Sequence, residues 1–96
     1  MSSQWLVKFT PEGENDLTKL DKPVRRRVII KLRWLEENFP WVIPEPLSNK
    51  WRGYFKLRAG DWRVIYEIDF ANNQLVVHRV ELRDKVYKIY KKRKRL

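Results

Sequence analysis

The sequence predicts an α+β domain in which two helices pack on one face of an antiparallel sheet. Two observations lead to this fold class: two helix-start signals stand close together in the first half, and the apolar pattern then changes to the alternation typical of strands. The order of elements is strand, two helices, three strands and a last helix, which places the helices on one face and leaves the other face free. A chain of 96 residues has room for one core, so residues 1–96 are expected to form a single domain.

The first strand and the first helix are predicted by the opening twenty residues. Residues 5–9 form a short apolar run of residues that favour strands. The run ends at Thr10 and Pro11, which is typical of an N-cap followed by a proline in the first helical position. We therefore expect a helix that ends near Leu20.

The second helix has the clearest signature. Residues 21–23, Asp-Lys-Pro, repeat the start signal, and an apolar stripe at spacings of three and four follows, made of Val24, Val28, Leu32, Leu35 and Phe39. Three prolines in residues 38–46 end the helix and predict an extended connection.

The second half alternates with a period of two and predicts a meander. Residues 54–58, 62–68 and 74–80 are the three strands, and turns are expected at 59–61 and 69–73. Because successive side chains face opposite ways, Lys56 and Arg63 are expected on the outer face. The core face should hold Phe55, Leu57, Val64 and Tyr66. A basic helix from Lys85 to about Arg95, capped by Asp84, should end the chain.

The net charge of +10 is concentrated in the second half of the chain. Residues 1–48 carry eight Lys/Arg against seven Asp/Glu, whereas residues 49–96 carry fourteen against five. A domain with this distribution is expected to bind a polyanion, and nucleic acid is the usual one. The alternative is a solvated basic tail that only favours solubility.

Several functional classes are excluded by what the sequence lacks. There is no cysteine and only one histidine, His78, so disulfides, thiolate metal sites and multi-histidine metal sites are excluded, and we expect no cofactor. We expect His78 to be packed or hydrogen-bonded within its strand. The start lacks a secretory pattern, and no apolar run is long enough to span a bilayer, so a cytoplasmic protein without a membrane partner is expected.

The remaining chemistry is cationic. Lysines and arginines cluster around the predicted sheet, namely Lys50, Arg52, Lys56, Arg58, Arg63, Arg79 and Arg83. RNA carries its own nucleophile, the 2′-hydroxyl, so cleavage needs only a base, an acid and neutralisation of the phosphate, which arginine does well. A lysine crowded by arginines can serve as the base, and Trp51 or Tyr87 could stack on an unpaired base. A basic sheet that binds RNA without cutting it is the alternative.

Two motifs carry a resemblance to a known family. Residues 54–68, YFKLRAGDWRVIYEI, and residues 80–87, VELRDKVY, resemble the strand pair and the terminal motif of the RelE/ParE superfamily of bacterial toxins from toxin–antitoxin systems. The FTP of residues 9–11 and the LDKP of residues 20–23 fit as well. The resemblance covers nearly the whole chain and implies two N-terminal helices on an antiparallel sheet.

The resemblance to the RelE branch implies an mRNA interferase, a metal-independent endoribonuclease that cuts mRNA in the ribosomal A site and inhibits translation. By position, Lys56 would be the general base or a transition-state cation, and Arg63 the phosphate-stabilising arginine. Arg83 would protonate the leaving oxygen, and Tyr87 would stack on and orient the mRNA. Further RNA contacts are expected from Lys50, Arg52, Tyr54, Arg58 and Lys88.

Two other functions remain open at this point. The ParE branch shares the fold but acts on DNA gyrase without cleaving RNA, and a non-catalytic RNA-binding module is the third possibility. The joint presence of Lys56, Arg63, Arg83 and Tyr87 favours the RelE branch. The resemblance also implies two kinds of partner, a cognate antitoxin protein that wraps the toxin, and ribosomal RNA bound mainly through its phosphates.

Overall fold

A computed structural model describes residues 4–48 and 51–86 of the chain. The elements are β1 (Leu6–Phe9), α1 (Pro11–Thr18), α2 (Lys22–Asn38), β2 (Glu45–Pro46), β3 (Phe55–Ala59), β4 (Trp62–Asp69) and β5 (Gln74–Leu82). The α+β class is confirmed, and so is the predicted order of one strand, two helices and a three-stranded meander. No helix among the described residues has the length and apolarity that crossing a membrane requires.

Both helices begin where the sequence predicts. Thr10 caps α1, and its hydroxyl accepts a hydrogen bond from the Gly13 N–H at 3.1 Å, which satisfies one of the free donors of the first turn. Asp21 is the N-cap of α2, but its side chain makes no capping hydrogen bond. The buried residues of α2 are Val28, Leu32 and Leu35, so the predicted stripe faces the core.

The sheet is mixed rather than purely antiparallel, which corrects the expectation from the sequence. Its five strands lie in the order β1-β5-β4-β3-β2, and β1 pairs with β5 in parallel. The meander β3-β4-β5 is antiparallel as predicted. The parallel pair arises because the two helices carry the chain across one face before the meander returns to lie beside β1.

The connection after α2 contains one more short strand than predicted. β2 pairs with β3 through Glu45 opposite Lys56 and Pro46 opposite Phe55. Proline has no N–H to donate to a neighbouring strand, and its place in this sheet is accordingly on the edge strand. Alternation cannot reveal a strand of two residues.

The main core lies between the helices and the sheet. Side chains from α2 meet the inward residues of the meander, among them Leu57, Val64, Tyr66, Leu75, Val77 and Val80. Phe55 is partly buried against this cluster. The predicted core face is therefore confirmed.

The outer face of the sheet is not entirely free, which corrects a second expectation. Ile65, whose neighbours in β4 on either side face the main core, is fully buried in a separate cluster with Trp51 and Val86. Leu47 and Tyr54 pack against this cluster. Described residues from the connection between β2 and β3, together with Val86 after β5, thus cover part of the outer face and border a cavity beside it.

A β-bulge interrupts the pairing of β4 with β5. Tyr66 lies opposite Val77, but the next residue of β4, Ile65, lies opposite Arg79, so β5 holds one extra residue, His78. The buried residues of β5 reflect the change, because Val77 and Val80 are three apart rather than two. The sequence expectation of strict alternation ended the strand at Val80, whereas β5 continues to Leu82.

The predicted C-terminal helix lies almost wholly outside the described residues. A turn follows β5 at residues 83–85, and Val86 is the last residue described. The expected helix from Lys85 to about Arg95 remains a prediction.

Candidate functional site

Three of the predicted site residues line one cavity on the outer face of the sheet. Lys56 of β3, Arg63 of β4 and Arg83 of the turn after β5 border a cavity of about 400 Å³. The other lining residues are Leu47, Asp84 and Val86. Three cations from the stretch of sequence that runs from Lys56 to Arg83 therefore border one cavity, an arrangement suited to binding phosphate.

The sheet register explains why Lys56 and Arg63 are close. Lys56 lies opposite Ile65, and Arg63 is two residues from Ile65 on the same strand, so both side chains leave the sheet on the outer face. The next pair on this face, Arg58 opposite Arg63, lies nearer the hairpin turn. Rigid strand pairing thus fixes the spacing of two of the three cations.

The guanidinium of Arg63 is anchored by the β3–β4 turn. Its Nη1 donates hydrogen bonds to the carbonyl of Gly60 at 2.8 Å and to that of Trp62 at 2.9 Å. Within the described part of the chain, Nε and Nη2 make no such bond, which leaves one edge of the fork available for a bidentate contact with phosphate. Gly60 has a φ of 62°, a conformation that favours glycine and suits the tight turn.

Arg83 is held at the same end of the sheet by its backbone. Its N–H donates to the carbonyl of Asp61 at 2.9 Å, which continues the β4–β5 pairing by one step beyond Trp62 opposite Leu82. The side chain is exposed. Among residues 4–48 and 51–86, neither Arg83 nor Lys56 forms an ion pair with a carboxylate, so both are available to an anion.

Two carboxylates lie near the cations. Glu81 is opposite Arg63 in the register, but its carboxylate accepts a hydrogen bond from the Leu82 N–H at 3.1 Å, and no ion pair joins it to Arg63 in the described part of the chain. Asp84 lines the cavity and is exposed. The cavity therefore keeps a net positive charge, three cations against one lining carboxylate.

Arg79 does not belong to this cavity. It forms ion pairs with Asp16 at 2.7 Å and Glu12 at 3.6 Å, both on α1. Burial acts to lower the pKa of Arg79, but the hydrogen bond that Arg79 donates to Asp16 and the charges of Asp16, Glu12 and Glu81 raise it overall. This arginine is engaged inside the fold, although sequence reasoning had grouped it with the cations around the sheet.

Three residues expected to contact RNA lie elsewhere. Arg58 is ion-paired with Glu45 at 3.2 Å and borders the space between α2 and the edge of the sheet. Arg52 is exposed in the loop before β3 and does not line the cavity. Tyr54 is half-buried with its ring against those of Trp51 and His78, at centroid distances of 5.0 and 4.9 Å. These three remain predictions as RNA contacts.

Trp51 corrects an expectation from the sequence. Its side chain is 4% exposed and packs in the cluster with Ile65 and Val86, so it has no free ring face for a base. Lys50, Tyr87 and Lys88, the other predicted site residues, lie outside the described residues.

Sequence reasoning did not identify the apolar wall of the cavity. Leu47 lies after a proline-rich connection and Val86 after a turn, and neither position shows a periodic pattern. What Leu47 and Val86 share is seen only in the folded structure, where both pack in the cluster around Ile65. His78, in contrast, is hydrogen-bonded as expected, with Nε2 2.8 Å from Oε1 of Glu67.

Known toxins resemble this chain in both sequence and fold. Toxin RelG of Mycobacterium tuberculosis is 29% identical over 84 residues, which are 88% of this chain and 97% of that protein. The toxin–antitoxin complex RelBE2 of the same organism contains a chain with a TM-score of 0.73 and 28% identity, and the match covers 86% of this chain and 95% of that one. The isolated RelE toxin of E. coli has the same fold, with a TM-score of 0.68, 24% identity and coverage of 93% and 97%.

The family of this chain is shown by a match that covers most of its length. Residues 7–87 match the family described as the ParE toxin of type II toxin–antitoxin systems, so the match runs from β1 to the residue after the last one described. The chain belongs to this toxin family, within the RelE/ParE superfamily of type II toxin–antitoxin systems.

Proposed function

We propose that this toxin is a ribosome-dependent endoribonuclease, an mRNA interferase that cleaves mRNA by attack of the 2′-hydroxyl and so inhibits translation. The observation that carries the proposal is the convergence of Lys56, Arg63 and Arg83 on one cavity. A site that only bound RNA would not need three cations around a single cavity. In-line attack, in contrast, develops extra negative charge on one phosphate and benefits from cations fixed in advance.

Each cation has a defined part in the proposed reaction. Lys56 takes the proton of the 2′-hydroxyl while that oxygen forms a bond to phosphorus. Arg63 neutralises the pentavalent phosphate through the free edge of its guanidinium. The bond from phosphorus to the 5′-oxygen breaks. This oxygen takes a proton from the guanidinium of Arg83 through the hydrogen bond between them, and solvent water then reprotonates Arg83. The products are a 2′,3′-cyclic phosphate and a 5′-hydroxyl.

The substrate is proposed to be mRNA in the ribosomal A site. Family resemblance supplies this part of the proposal, and it also gives Tyr87 the role of stacking on the mRNA. Tyr87 directly follows Val86, the last residue of the cavity wall. The net charge of +10 is consistent with docking on ribosomal RNA through phosphate contacts, so activity should fall as salt is raised.

A cognate antitoxin is the proposed protein partner. One structure similar to this chain is itself a toxin–antitoxin complex. This toxin also exposes large apolar side chains along α2 and the connection to β2, with Ile30 60% exposed, Trp34 42% and Ile43 90%. Such a concentration of exposed apolar side chains marks an interaction surface. A pull-down with the product of the neighbouring gene tests this, and Ile43→Glu should weaken the complex if the surface is used.

The experiment that tests the proposed activity is cleavage of a defined mRNA on purified ribosomes, mapped by primer extension. Lys56→Ala, Arg63→Ala and Arg83→Ala should each lower the cleavage rate by about 100-fold or more, as expected for removal of a catalytic base or of a group that stabilises the transition state. Arg33→Ala is the matched control, because it removes the same charge from an exposed position on α2 in the opposite layer. Equal losses in all four variants would indicate a general charge effect and would refute the assigned roles.

Inhibition of DNA gyrase is the second candidate function. It is supported by the family match, whose description names the ParE toxin. A supercoiling assay separates the two functions. Growth arrest with intact mRNA and inhibited supercoiling would establish the second candidate, whereas unchanged supercoiling at saturating toxin would remove it.

A further inference from the structure

A carboxylate from α1 binds the β5 bulge at the point where the register changes. Oδ2 of Asp16 accepts a hydrogen bond from Nε of Arg79 at 2.7 Å and another from the backbone N–H of Val80 at 3.0 Å. These are the two residues that directly follow the extra residue, His78. The side chain of Asp16 is only 12% exposed, so the interaction is well shielded from solvent.

The bulge is held on several sides. Upstream, the Thr10 N–H donates to the carbonyl of Val77 at 2.9 Å. The extra residue itself is fixed by the hydrogen bond between His78 and Glu67 and by the ring of Tyr54. Arg79 has a second, longer contact with Glu12 at 3.6 Å. Among these contacts, only Asp16 binds the backbone downstream of the bulge, so it is the contact that can fix the new register.

The register downstream of the bulge determines where Arg83 lies. With the bulge, Val80 is opposite Val64, Leu82 is opposite Trp62, and the Arg83 N–H reaches the carbonyl of Asp61. If the upstream pairing simply continued, each residue of β4 would face a residue one position earlier in β5. Asp61 would then meet Leu82, and Arg83 would move by one residue, about 3.3 Å, along the strand.

The same slip would reverse the faces of the strand. Without the bulge, Arg79 would take the place opposite Val64 that Val80 occupies now, and a charge would be turned toward the main core. Arg79, the charged partner of Asp16, thus sits at a position where slippage would bury its charge. The hydrogen bond from the Val80 N–H to Asp16 favours the bulged register directly.

We propose that Asp16 is a positioning residue that fixes the β5 bulge and thereby places Arg83 beside Lys56 and Arg63. The inference rests on the proposed function in so far as Arg83 takes part in RNA cleavage. Asp16 is not among the residues that line the cavity, so it would act on the site through the strand and not by touching RNA.

The test uses two variants and one control in the full chain. Asp16→Ala removes both hydrogen bonds. Asp16→Asn keeps an oxygen for the Val80 N–H but loses the charge that faces Arg79. The control, Glu12→Gln, removes only the 3.6 Å contact with Arg79 from a side chain that is 77% exposed. Ribosome-dependent cleavage is measured under single-turnover conditions over a range of ribosome concentrations, at a temperature where each variant is folded.

We expect Asp16→Ala to lower the maximal cleavage rate at least tenfold while the ribosome concentration for half-maximal rate changes by less than threefold. Asp16→Asn should lie between Asp16→Ala and the unmodified toxin, and Glu12→Gln should match the unmodified toxin. An unchanged maximal rate in folded Asp16→Ala would overturn the proposal. If Asp16→Ala does not fold, Asp16→Asn decides the matter in the same way.

Amide hydrogen exchange provides a readout that does not depend on cleavage. In Asp16→Ala, or in Asp16→Asn if the alanine variant does not fold, the amides of Val80 and Arg83 should exchange at least tenfold faster relative to that of Leu75, upstream of the bulge on the same strand. An equal increase at all three amides would show general destabilisation and would refute positioning. If the unmodified toxin cuts no RNA, the proposed function fails, and exchange still decides whether Asp16 fixes the bulge.

Discussion

Replacing Gly13 by alanine tests the packing of α1 on β5, because two known effects act in opposite directions there. Alanine stabilises the interior of a helix by about 1 kcal/mol relative to glycine. A Cβ atom at Gly13, however, would lie 2.4 Å from the carbonyl oxygen of Val77 and 3.1 Å from its carbonyl carbon. Ordinary contacts of a Cβ atom begin at about 3.4 Å, so α1 and β5 would have to separate by about 1 Å.

The carbonyl of Val77 cannot easily turn away from an added methyl group. It is backbone, it lies directly before the bulge, and it already accepts the hydrogen bond from Thr10. Overpacking of this kind costs about 1–3 kcal/mol, and rigid neighbours favour the upper end. We therefore expect Gly13→Ala to lower the free energy of unfolding by about 2 kcal/mol after the helical gain is counted.

The assay is thermal and urea-induced unfolding followed by circular dichroism. A loss of about 2 kcal/mol corresponds to a decrease of roughly 10 °C in the midpoint for a domain of this size. Asn15→Ala is the control, since this residue is exposed on the same helix and its replacement should stabilise by a few tenths of a kcal/mol. A Gly13→Ala variant as stable as the unmodified protein would show that α1 does not approach β5 this closely.

Two further predictions concern the core and the outer face. Burial, followed by the charge of Glu45, raises the pKa of Tyr66 to about 12 from an ordinary value of 10.0. The folded state therefore favours the neutral phenol, which contributes about 3 kcal/mol to the free energy of unfolding. This stabilisation is complete below pH 10 and is lost as the pH rises from 10 to 12. Urea titrations at pH 9 and 12 should show the loss, and Tyr66→Phe should lack it; a loss of the same size in Tyr66→Phe would exclude Tyr66 as its source. Ile65→Ala should destabilise by about 2–5 kcal/mol, because Ile65 is fully buried beneath Trp51 and Val86; a change below 1 kcal/mol would show that the outer face is open there.

The sequence predicted the elements whose signals are local. Thr10 and Pro11 marked the start of α1, the stripe from Val24 to Phe39 marked α2, and the alternation around Lys56 and Arg63 assigned the two cations to one face. These predictions succeeded because capping, helical periodicity and the strand pleat depend on neighbouring residues only.

The features that the sequence did not reveal depend on contacts between distant segments. The parallel pairing of β1 with β5 is decided by the path of the whole chain. The bulge at His78 breaks the alternation, and its stabilising partner, Asp16, is more than 60 residues away. The sequence suggests base stacking for Trp51 because no neighbouring residue indicates that its ring covers Ile65.

The central claim, that Lys56, Arg63 and Arg83 cleave RNA by activating its own 2′-hydroxyl, is tested most directly with a modified mRNA. A single 2′-deoxynucleotide is placed at the mapped cleavage position of a message bound to ribosomes, and cleavage is compared with that of the all-ribose message. We predict that cleavage at that position disappears, that binding of the toxin to the ribosome is unchanged, and that the all-ribose message yields a 2′,3′-cyclic phosphate. Cleavage of the 2′-deoxy message at an unchanged rate would contradict the mechanism.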